Sequence, residues 1–186
     1  MKTPAATFFA HDPDWVAKHL IGALLLVDGV GGLIVETESY DPTDPASNSF
    51  ELRRTKKNAA MFGPPGRAHV YSTYGMHWMM NFVCKGASGV LIRALEPTVG
   101  VDKMKRRRGT DMEKLLCSGP GRLTQALKIT GALDHVSVFK APFTLKVPAR
   151  LADIASGTRI GISKGIDLQR RFGLRGSPFL SKKIPD

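Results

Sequence analysis

The dipeptide Asp28-Gly29, which lies between two apolar runs, constrains the fold of this chain more than any other sequence feature. Residues 23–27 form the first run, and residues 32–40 form the second, which is rich in β-branched side chains. An Asp-Gly pair between two such runs is a strong signal for a tight hairpin turn, because both residues tolerate the positive φ that the turn requires. The sequence therefore predicts an antiparallel β-hairpin near the start of the chain.

Further segments predict a mainly antiparallel sheet with a few helices around it. Strand-like segments span residues 68–73, 76–84, 90–95, 143–147 and 159–163, and helical segments start at Asp12 and span 101–116 and 123–129. Residues 41–67 are rich in Pro and Gly, which predicts a long loop of the kind that is usually functional or mobile. Because the 186 residues show neither an internal repeat nor a linker, we expect one α+β domain spanning residues 1–186.

The charge of the chain indicates a polyanionic partner. Lys and Arg number 27 against 16 Asp and Glu, which gives a formal net charge of +11. Such an excess is typical of nucleic-acid-binding proteins, although a basic protein with an acidic partner, or with none, is the alternative. The basic residues occur in clusters between apolar segments, and we expect these clusters to converge on one face of the domain.

Apolar runs and cysteines bear on where the protein works. No run approaches the roughly 20 apolar residues that a membrane-spanning helix needs. Cys84 and Cys117 stand alone, without the paired spacing of a metal site, and we interpret both as small core residues. We expect a cytoplasmic protein, nucleoid-associated if it is bacterial, that does not contact a membrane.

Two glutamates stand in the apolar segment IVETESY, residues 34–40. Because side chains alternate along a strand, Glu36, Glu38 and Tyr40 are expected to share one face. Burying a carboxylate is costly, so one interpretation is a general base that acts on a water molecule. The alternatives are an exposed face where both glutamates meet lysines, and a metal-dependent nuclease that uses both carboxylates, although no His stands at ligand spacing.

Aromatic residues surround a predicted turn at Tyr74-Gly75. Tyr71, Tyr74 and Trp78 lie close to this turn, and in a basic protein an exposed tyrosine suits stacking on bases or wedging between them. The alternative is a tyrosine that folds back on its own hairpin. Residues 118–122 resemble the phosphate-holding turn of helix–hairpin–helix DNA binders, but an ordinary helix-opening turn is favoured because Pro120 lacks an N–H donor.

Six segments, in this order along the chain, resemble those of the alkyladenine (3-methyladenine) DNA glycosylase family, the type found in mammals and many bacteria. They are residues 34–40 (IVETESY), 58–62 (NAAMF), 70–76 (VYSTYGM), 92–97 (IRALEP), 116–120 (LCSGP) and 175–178 (RGSP), and the resemblance runs from about Phe8 to Ser181. It implies a curved sheet with a protruding β-hairpin. It also implies a monomeric enzyme without cofactor or metal that flips an alkylated or deaminated purine out of duplex DNA and hydrolyses its N-glycosidic bond.

The same resemblance implies a catalytic role for three residues. Glu38 matches the general base of the family, whereas Glu36 does not. Arg93 and the backbone carbonyl of Ile160 match groups that help to hold the attacking water. No lysine stands in the strand motif, so we expect no Schiff base and no strand cleavage, and the product should be an abasic site.

Other matching residues form the base pocket that the resemblance implies. Tyr40 and Tyr71 match aromatic side chains that sandwich the flipped base, and Asn81 matches an asparagine that crowds out the exocyclic amine of normal guanine. Asn48 stands where the family commonly has a histidine that packs against the flipped base. Asn keeps a hydrogen-bond donor but lacks the aromatic face and the titratable proton, so we expect the substrate range or rate to differ.

The remaining expectations concern contact with DNA. The resemblance implies that Tyr74 fills the gap left in the double helix and that Met76, on the same hairpin, rests against the DNA. Lys105, Arg107 and Arg175, from the basic clusters, are expected to contact duplex DNA. A non-catalytic basic module that binds nucleic acid by shape is the alternative function, but such a module has no use for a carboxylate facing a polyanion.

Overall fold

The computed structural model describes residues 1–73 and 75–185, in which eight strands and three α-helices are found. The strands are β1 (Leu24–Val27), β2 (Val30–Tyr40), β3 (Ala68–Thr73), β4 (His77–Val83), β5 (Gly89–Val99), β6 (Phe143–Lys146), β7 (Ile154–Gly157) and β8 (Arg171–Leu174). The α-helices are α1 (Pro13–Leu20), α2 (Val101–Arg108) and α3 (Pro120–Leu127). Short 3-10 turns lie at Ala6–Ala10, Phe50–Leu52, Ala59–Phe62, Lys85–Ala87, Glu113–Leu115 and Gly131–Leu133.

The predicted hairpin at Asp28-Gly29 is confirmed. Asp28 and Gly29 have φ angles of 48° and 72°, and they join β1 to β2 in an antiparallel pair. β2 then runs on past the end of β1 as far as Tyr40. The strand that contains the two glutamates therefore extends beyond its first partner and needs another neighbour there.

That neighbour is β8, which comes from the last part of the chain. The main path of the sheet is β3-β4-β5-β2-β1-β6, and β8 pairs antiparallel with residues 36–38 of β2, with β7 outside it. On its other side, β2 pairs with β5 along its whole length, with a register shift next to Glu36. The predicted α+β class is confirmed, and the middle of β2 is covered by a strand on both edges.

Helix α1 covers one face of β2. The side chain of Asp12 accepts hydrogen bonds from the N–H groups of residues 14 and 15, and Pro13 occupies the first helical position. Val16, Ala17 and Leu20 are buried in the core, and the Thr37 hydroxyl donates to the carbonyl of Ala17 at 3.0 Å. Because Thr37 faces α1, its neighbours Glu36 and Glu38 face away from the helix.

The predictions for the second half of the chain need three corrections. Residues 159–163, expected as a strand, form none, because the Ile160 N–H bonds a side chain and Gly161 has a φ of +77°. The helix predicted over 101–116 ends at Arg108, where Gly109 adopts the left-handed conformation and its N–H bonds Lys105. The strands β7 and β8 were not predicted.

The structure also tests the predictions made for the two cysteines and for membrane-spanning segments. Cys84 and Cys117 are both buried, as predicted for small core residues. Burial raises the pKa of the Cys117 thiol to about 12 and also raises that of Cys84. Among the residues that the structure describes, no helix is long and apolar enough to cross a membrane.

Candidate active site

Glu38 is fully buried, and its carboxylate accepts two hydrogen bonds and forms one ion pair. The Tyr40 hydroxyl donates to Oε2 at 2.8 Å, and the Ile160 N–H donates to Oε1 at 2.9 Å. The guanidinium of Arg93 lies 3.2 Å from Oε2 through Nη1. The structure thus brings the three predicted catalytic residues together, although Ile160 contacts the carboxylate through its N–H, whereas the resemblance implies a role for its carbonyl.

Glu36 is also fully buried, so the alternative of an exposed strand face that meets lysines is wrong. Its Oε1 accepts hydrogen bonds from Arg93 Nε at 3.0 Å, Arg171 Nη1 at 3.1 Å and the Ser181 hydroxyl at 2.8 Å. Its Oε2 accepts from the Ser181 N–H at 2.5 Å. Arg171 is also buried and forms part of this network.

The two carboxylates share one cation. Burial lowers the pKa of the Arg93 guanidinium, but the charges of Glu38 and Glu36 outweigh burial and raise that pKa above its usual value. Burial, together with the charge and hydrogen bond of Glu38, raises the pKa of the Tyr40 phenol. Arg93 stays charged and Tyr40 stays protonated, so the ion pair and the hydrogen bond with Glu38 both persist over the whole physiological pH range.

A cavity of about 500 Å³ opens beside this group. Its lining includes six residues that the sequence had singled out: Tyr40, Asn48, Tyr71, Asn81, Arg93 and Ile160. Three of these, Tyr40, Arg93 and Ile160, are the ones that contact the Glu38 carboxylate. The volume lies in the range of small-molecule pockets, so the cavity can hold one planar base.

The aromatic walls of the cavity are each supported by a second side chain. The guanidinium carbon of Arg159 lies 4.5 Å from the centroid of the Tyr40 ring. The Tyr71 ring stacks on His69 with centroids 5.0 Å apart and planes at 23°. Burial raises the pKa of the Tyr71 phenol, although hydrogen bonds with the side chains of Asn48 and Asn81 lower it. These contacts fix the orientation of both rings before any ligand enters.

The long loop predicted over 41–67 is ordered by its own buried polar residues. The Asn58 amide donates to the carbonyl of Asn48 at 2.6 Å and to the carbonyl of Arg53 at 2.9 Å. Asp44, also buried, forms an ion pair with Arg159. The position of Asn48 in the cavity is thus set by a loop that is anchored on both sides of this residue.

Several residues that line or support the cavity were not assigned a role from the sequence. The apolar part of the lining includes Met61, Met79, Leu91, Pro120 and Ile162. Leu91 could have been found, because it lies two residues before Arg93 on one strand and so shares its face. Arg159, Arg171 and Ser181 carry no such signal, since their contacts with Asp44 and Glu36 join segments at least 115 residues apart in the chain.

Four residues predicted to contact DNA are described by the structure, and Met76, Lys105, Arg107 and Arg175 all lie outside the cavity lining. Tyr74 is outside the described residues, whereas Met76 is 75% exposed at the end of the β3–β4 hairpin. Lys105 pairs with Glu113 at 3.3 Å, and Arg107 donates to the carbonyl of Ala126 at 2.8 Å. Arg175 pairs with Asp153 at 3.3 Å.

A groove of about 820 Å³ adjoins the cavity, and its lining includes Ser47, Asn48 and Tyr71, which also line the cavity. We call it the cationic groove, because four basic residues line it: Arg53, Lys56, Lys57 and Lys164. In the part of the chain that the structure describes, no group of three or more His, Cys, Asp or Glu side chains is placed to hold a metal ion.

Comparisons with known proteins define the class to which this fold and cavity belong, which is that of the DNA glycosylases. The family model described as methylpurine-DNA glycosylase (MPG) matches residues 7–178. The chain therefore belongs to the methylpurine-DNA glycosylase family.

Three curated bacterial relatives are similar over nearly their whole length. A protein of Agrobacterium fabrum is 54% identical over 97% of this chain and 93% of its own length. A protein of Nitrosospira multiformis is 54% identical over 98% and 95%, and one of Rhizobium meliloti is 51% identical over 98% of both chains. Each carries the name "Putative 3-methyladenine DNA glycosylase". The family resemblance predicted from six short segments is thereby confirmed.

Proposed function

We propose that this DNA glycosylase removes damaged purines from duplex DNA by hydrolysis, with Glu38 as the general base. One observation carries the proposal: a fully buried carboxylate, held by two hydrogen bonds and an ion pair, lies next to a cavity that can hold a base. A protein that only binds nucleic acid gains nothing from burying a negative charge at its binding surface. We further propose that residues 1–186 form one catalytic domain that acts as a cytoplasmic monomer.

The cavity explains how a base would be recognised. A base inside a duplex is out of reach, so it must be extruded at a cost of a few kcal/mol, which is smallest for damaged or mispaired bases. Stacking on Tyr40 and Tyr71 offsets this cost by about 1–3 kcal/mol for each base face. A purine made cationic by alkylation adds a cation–π attraction of about 0.5–2 kcal/mol. Asn48 and Asn81, which also line the cavity, supply hydrogen-bonding groups for the base edge.

The chemistry follows from the charges around Glu38. Cleavage of a glycosidic bond develops positive charge on the sugar, which an ionised carboxylate stabilises while it takes a proton from the attacking water. Arg93 orients that carboxylate, and the Ile160 carbonyl belongs to the same residue as the N–H that bonds Glu38. No lysine is found in the described lining of the cavity, so we propose a hydrolase without lyase activity, whose product is an abasic site.

The approach of DNA is proposed from the residues between β3 and β4 and from the cationic groove. Tyr74 would fill the gap left by the extruded base, Met76, which is exposed, would rest against the DNA, and the cationic groove would hold backbone phosphates on one side of the base. Lys105, Arg107 and Arg175 would add to the attraction for the polyanion over a longer range.

The proposal is tested with duplexes that each contain one lesion, namely 3-methyladenine, 7-methylguanine, hypoxanthine or ethenoadenine. Each duplex is incubated with the protein in EDTA and analysed with and without alkali. We expect strand breaks only after alkali, because hydrolysis leaves an abasic site that alkali then cleaves. Breaks without alkali would contradict the absence of lyase activity, loss of all activity in EDTA would favour the metal-dependent nuclease, and binding without breaks would favour the non-catalytic module.

A further inference from the structure

Glu36 shares one face of β2 with Glu38, but within the described part of the chain it reaches the cavity lining only through Arg93. A buried carboxylate of this kind needs several donors to offset its desolvation. It accepts four hydrogen bonds, from Arg93, Arg171 and, twice, Ser181. Glu36 is therefore a second buried carboxylate beside Glu38, which suggests that it has a function of its own.

The contact with Arg93 indicates that role. Arg93 uses Nε for Glu36 at 3.0 Å and Nη1 for Glu38 at 3.2 Å, so its planar guanidinium bridges the two carboxylates. A guanidinium has a rigid fork geometry, so that fixing one nitrogen fixes the direction of the others. Glu36 therefore determines where Nη1 lies, and Nη1 lies 3.2 Å from Oε2 of Glu38, the carboxylate proposed to activate water.

Glu36 is itself fixed by the last segment of the chain. Ser181 contacts it through both its N–H and its hydroxyl, and that hydroxyl also lies 3.4 Å from Arg93 Nη2. Arg171 bonds Glu36, the carbonyl of Thr158 at 2.8 Å and the carbonyl of Lys182 at 3.0 Å. Ile184 is buried as well, which ties the segment that follows Ser181 to the sheet.

We propose that Glu36 is a positioning residue for glycosidic hydrolysis, which acts through Arg93 on Glu38, and that Ser181 holds Glu36 in place. This inference rests on the proposed function of Glu38. In addition, the segment after β8, which lies far from residues 34–40 in the sequence, completes the catalytic group. Glu36 neither takes a proton nor contacts the substrate.

The test is a double-mutant cycle on the single-turnover rate of hypoxanthine excision. Glu36→Gln and the milder Ser181→Ala are each measured in the wild-type chain and in Arg93→Lys, whose ammonium keeps the charge but lacks the rigid planar fork that couples the two carboxylates. We expect Glu36→Gln to lower the rate about 30-fold and Ser181→Ala about 5-fold in the wild type, but each less than about 2-fold in Arg93→Lys. Equal losses in both backgrounds, or a wild-type rate in both variants, would overturn the inference.

Three controls keep the outcome unambiguous. Thr37→Val removes a buried hydrogen bond from the opposite face of β2, so it should lower the unfolding midpoint while leaving the excision rate unchanged. If Glu36→Gln does not fold, the Ser181→Ala cycle decides, since that variant loses only one hydroxyl. Glu38→Gln is measured in parallel: its normal turnover would refute the proposed function, whereas its inactivity together with additive Glu36 effects would refute only this inference.

Discussion

The hydrogen bond from Tyr40 to Glu38 joins binding and catalysis in one side chain. The ring of Tyr40 lines the cavity with Arg159 against it, while its hydroxyl donates to Oε2 of Glu38 at 2.8 Å. The raised pKa of the phenol keeps the proton on this hydroxyl. The stacking role and the donor role are therefore separable by removing a single oxygen atom.

Tyr40→Phe should lower the excision rate while leaving affinity for lesion DNA nearly unchanged. A hydrogen bond to a charged group contributes about 1.5–3 kcal/mol, and the loss of about half of this in the transition state means a reaction slower by about 4- to 13-fold. Tyr71→Phe is the matched control, because Tyr71 lines the same cavity while the hydroxyl that bonds Glu38 belongs to Tyr40. Single-turnover kinetics and duplex titration measure both quantities, and equal rate losses in the two variants would contradict a specific role for the Tyr40 hydroxyl.

At the level of single residues, much of the site was predictable from sequence, but the residues that hold the site in place were not. Alternation along one strand correctly placed Glu36, Glu38 and Tyr40 together, and the family resemblance correctly added Arg93. The residues that hold them, such as Arg171 and Ser181, come from the last part of the chain. A local pattern contains no information about a contact between segments so far apart, so these supports become visible only in the folded structure.

At the scale of the element, β2 depends on how closely its first residues approach β5. A Cβ added at Gly32 would lie 1.8 Å from the carbonyl oxygen of Glu96, a backbone atom that cannot move independently of the strand. The first part of β2 pairs with β5 through a register shift at this point. A glycine here lets the two strands approach closely enough for the later residues of β2 to meet Arg93.

Gly32→Ala should therefore destabilise the protein more than a glycine substitution in the neighbouring turn. We expect a loss of about 3 kcal/mol or more in the free energy of unfolding, because the backbone must shift. Gly29→Ala is the control: Gly29 has a φ of +72°, but a Cβ added there would meet no heavy atom within 4 Å, so a loss of about 1–2 kcal/mol is expected. Urea unfolding measures both, and a Gly32→Ala variant as stable as Gly29→Ala would contradict the close approach.

The elements differ in how far sequence could predict them. The β1–β2 hairpin was predictable because Asp28-Gly29 encodes its turn locally. The end of α2 was misplaced, since Gly109 could equally have stood inside a longer basic helix until its left-handed φ was known. The prediction of a strand over residues 159–163 was wrong, because the apolar side chains in this segment, Ile160 and Ile162, line the wall of the cavity.

At the scale of the whole molecule, the net charge of +11 is expected to set the affinity for DNA. The four cations of the cationic groove adjoin the base cavity, whereas Lys105 and Arg107 already contact Glu113 and the carbonyl of Ala126. Both sets attract a polyanion. The groove, however, can hold the phosphates next to the extruded base, and so it should make the larger contribution.

Charge reversal separates these two sets. Lys56→Glu with Lys57→Glu should weaken binding to all duplexes and flatten the slope of log affinity against log salt by about 0.9 for each lost phosphate contact. Lys105→Glu with Arg107→Glu should have the same effect to a smaller extent. Fluorescence titration over a series of salt concentrations measures both slopes, and an unaltered slope in either double variant would place that pair of residues off the DNA.

The most direct measurement of the central claim compares the wild-type protein with Glu38→Gln on one duplex that contains hypoxanthine. Affinity is measured by titration and excision by alkali-dependent cleavage under single-turnover conditions. Because the amide keeps the shape of the side chain but cannot take a proton from water, we predict affinity within about threefold of wild type and a rate at least about 1,000-fold lower. Excision by Glu38→Gln at the wild-type rate would contradict the assignment of Glu38 as the general base.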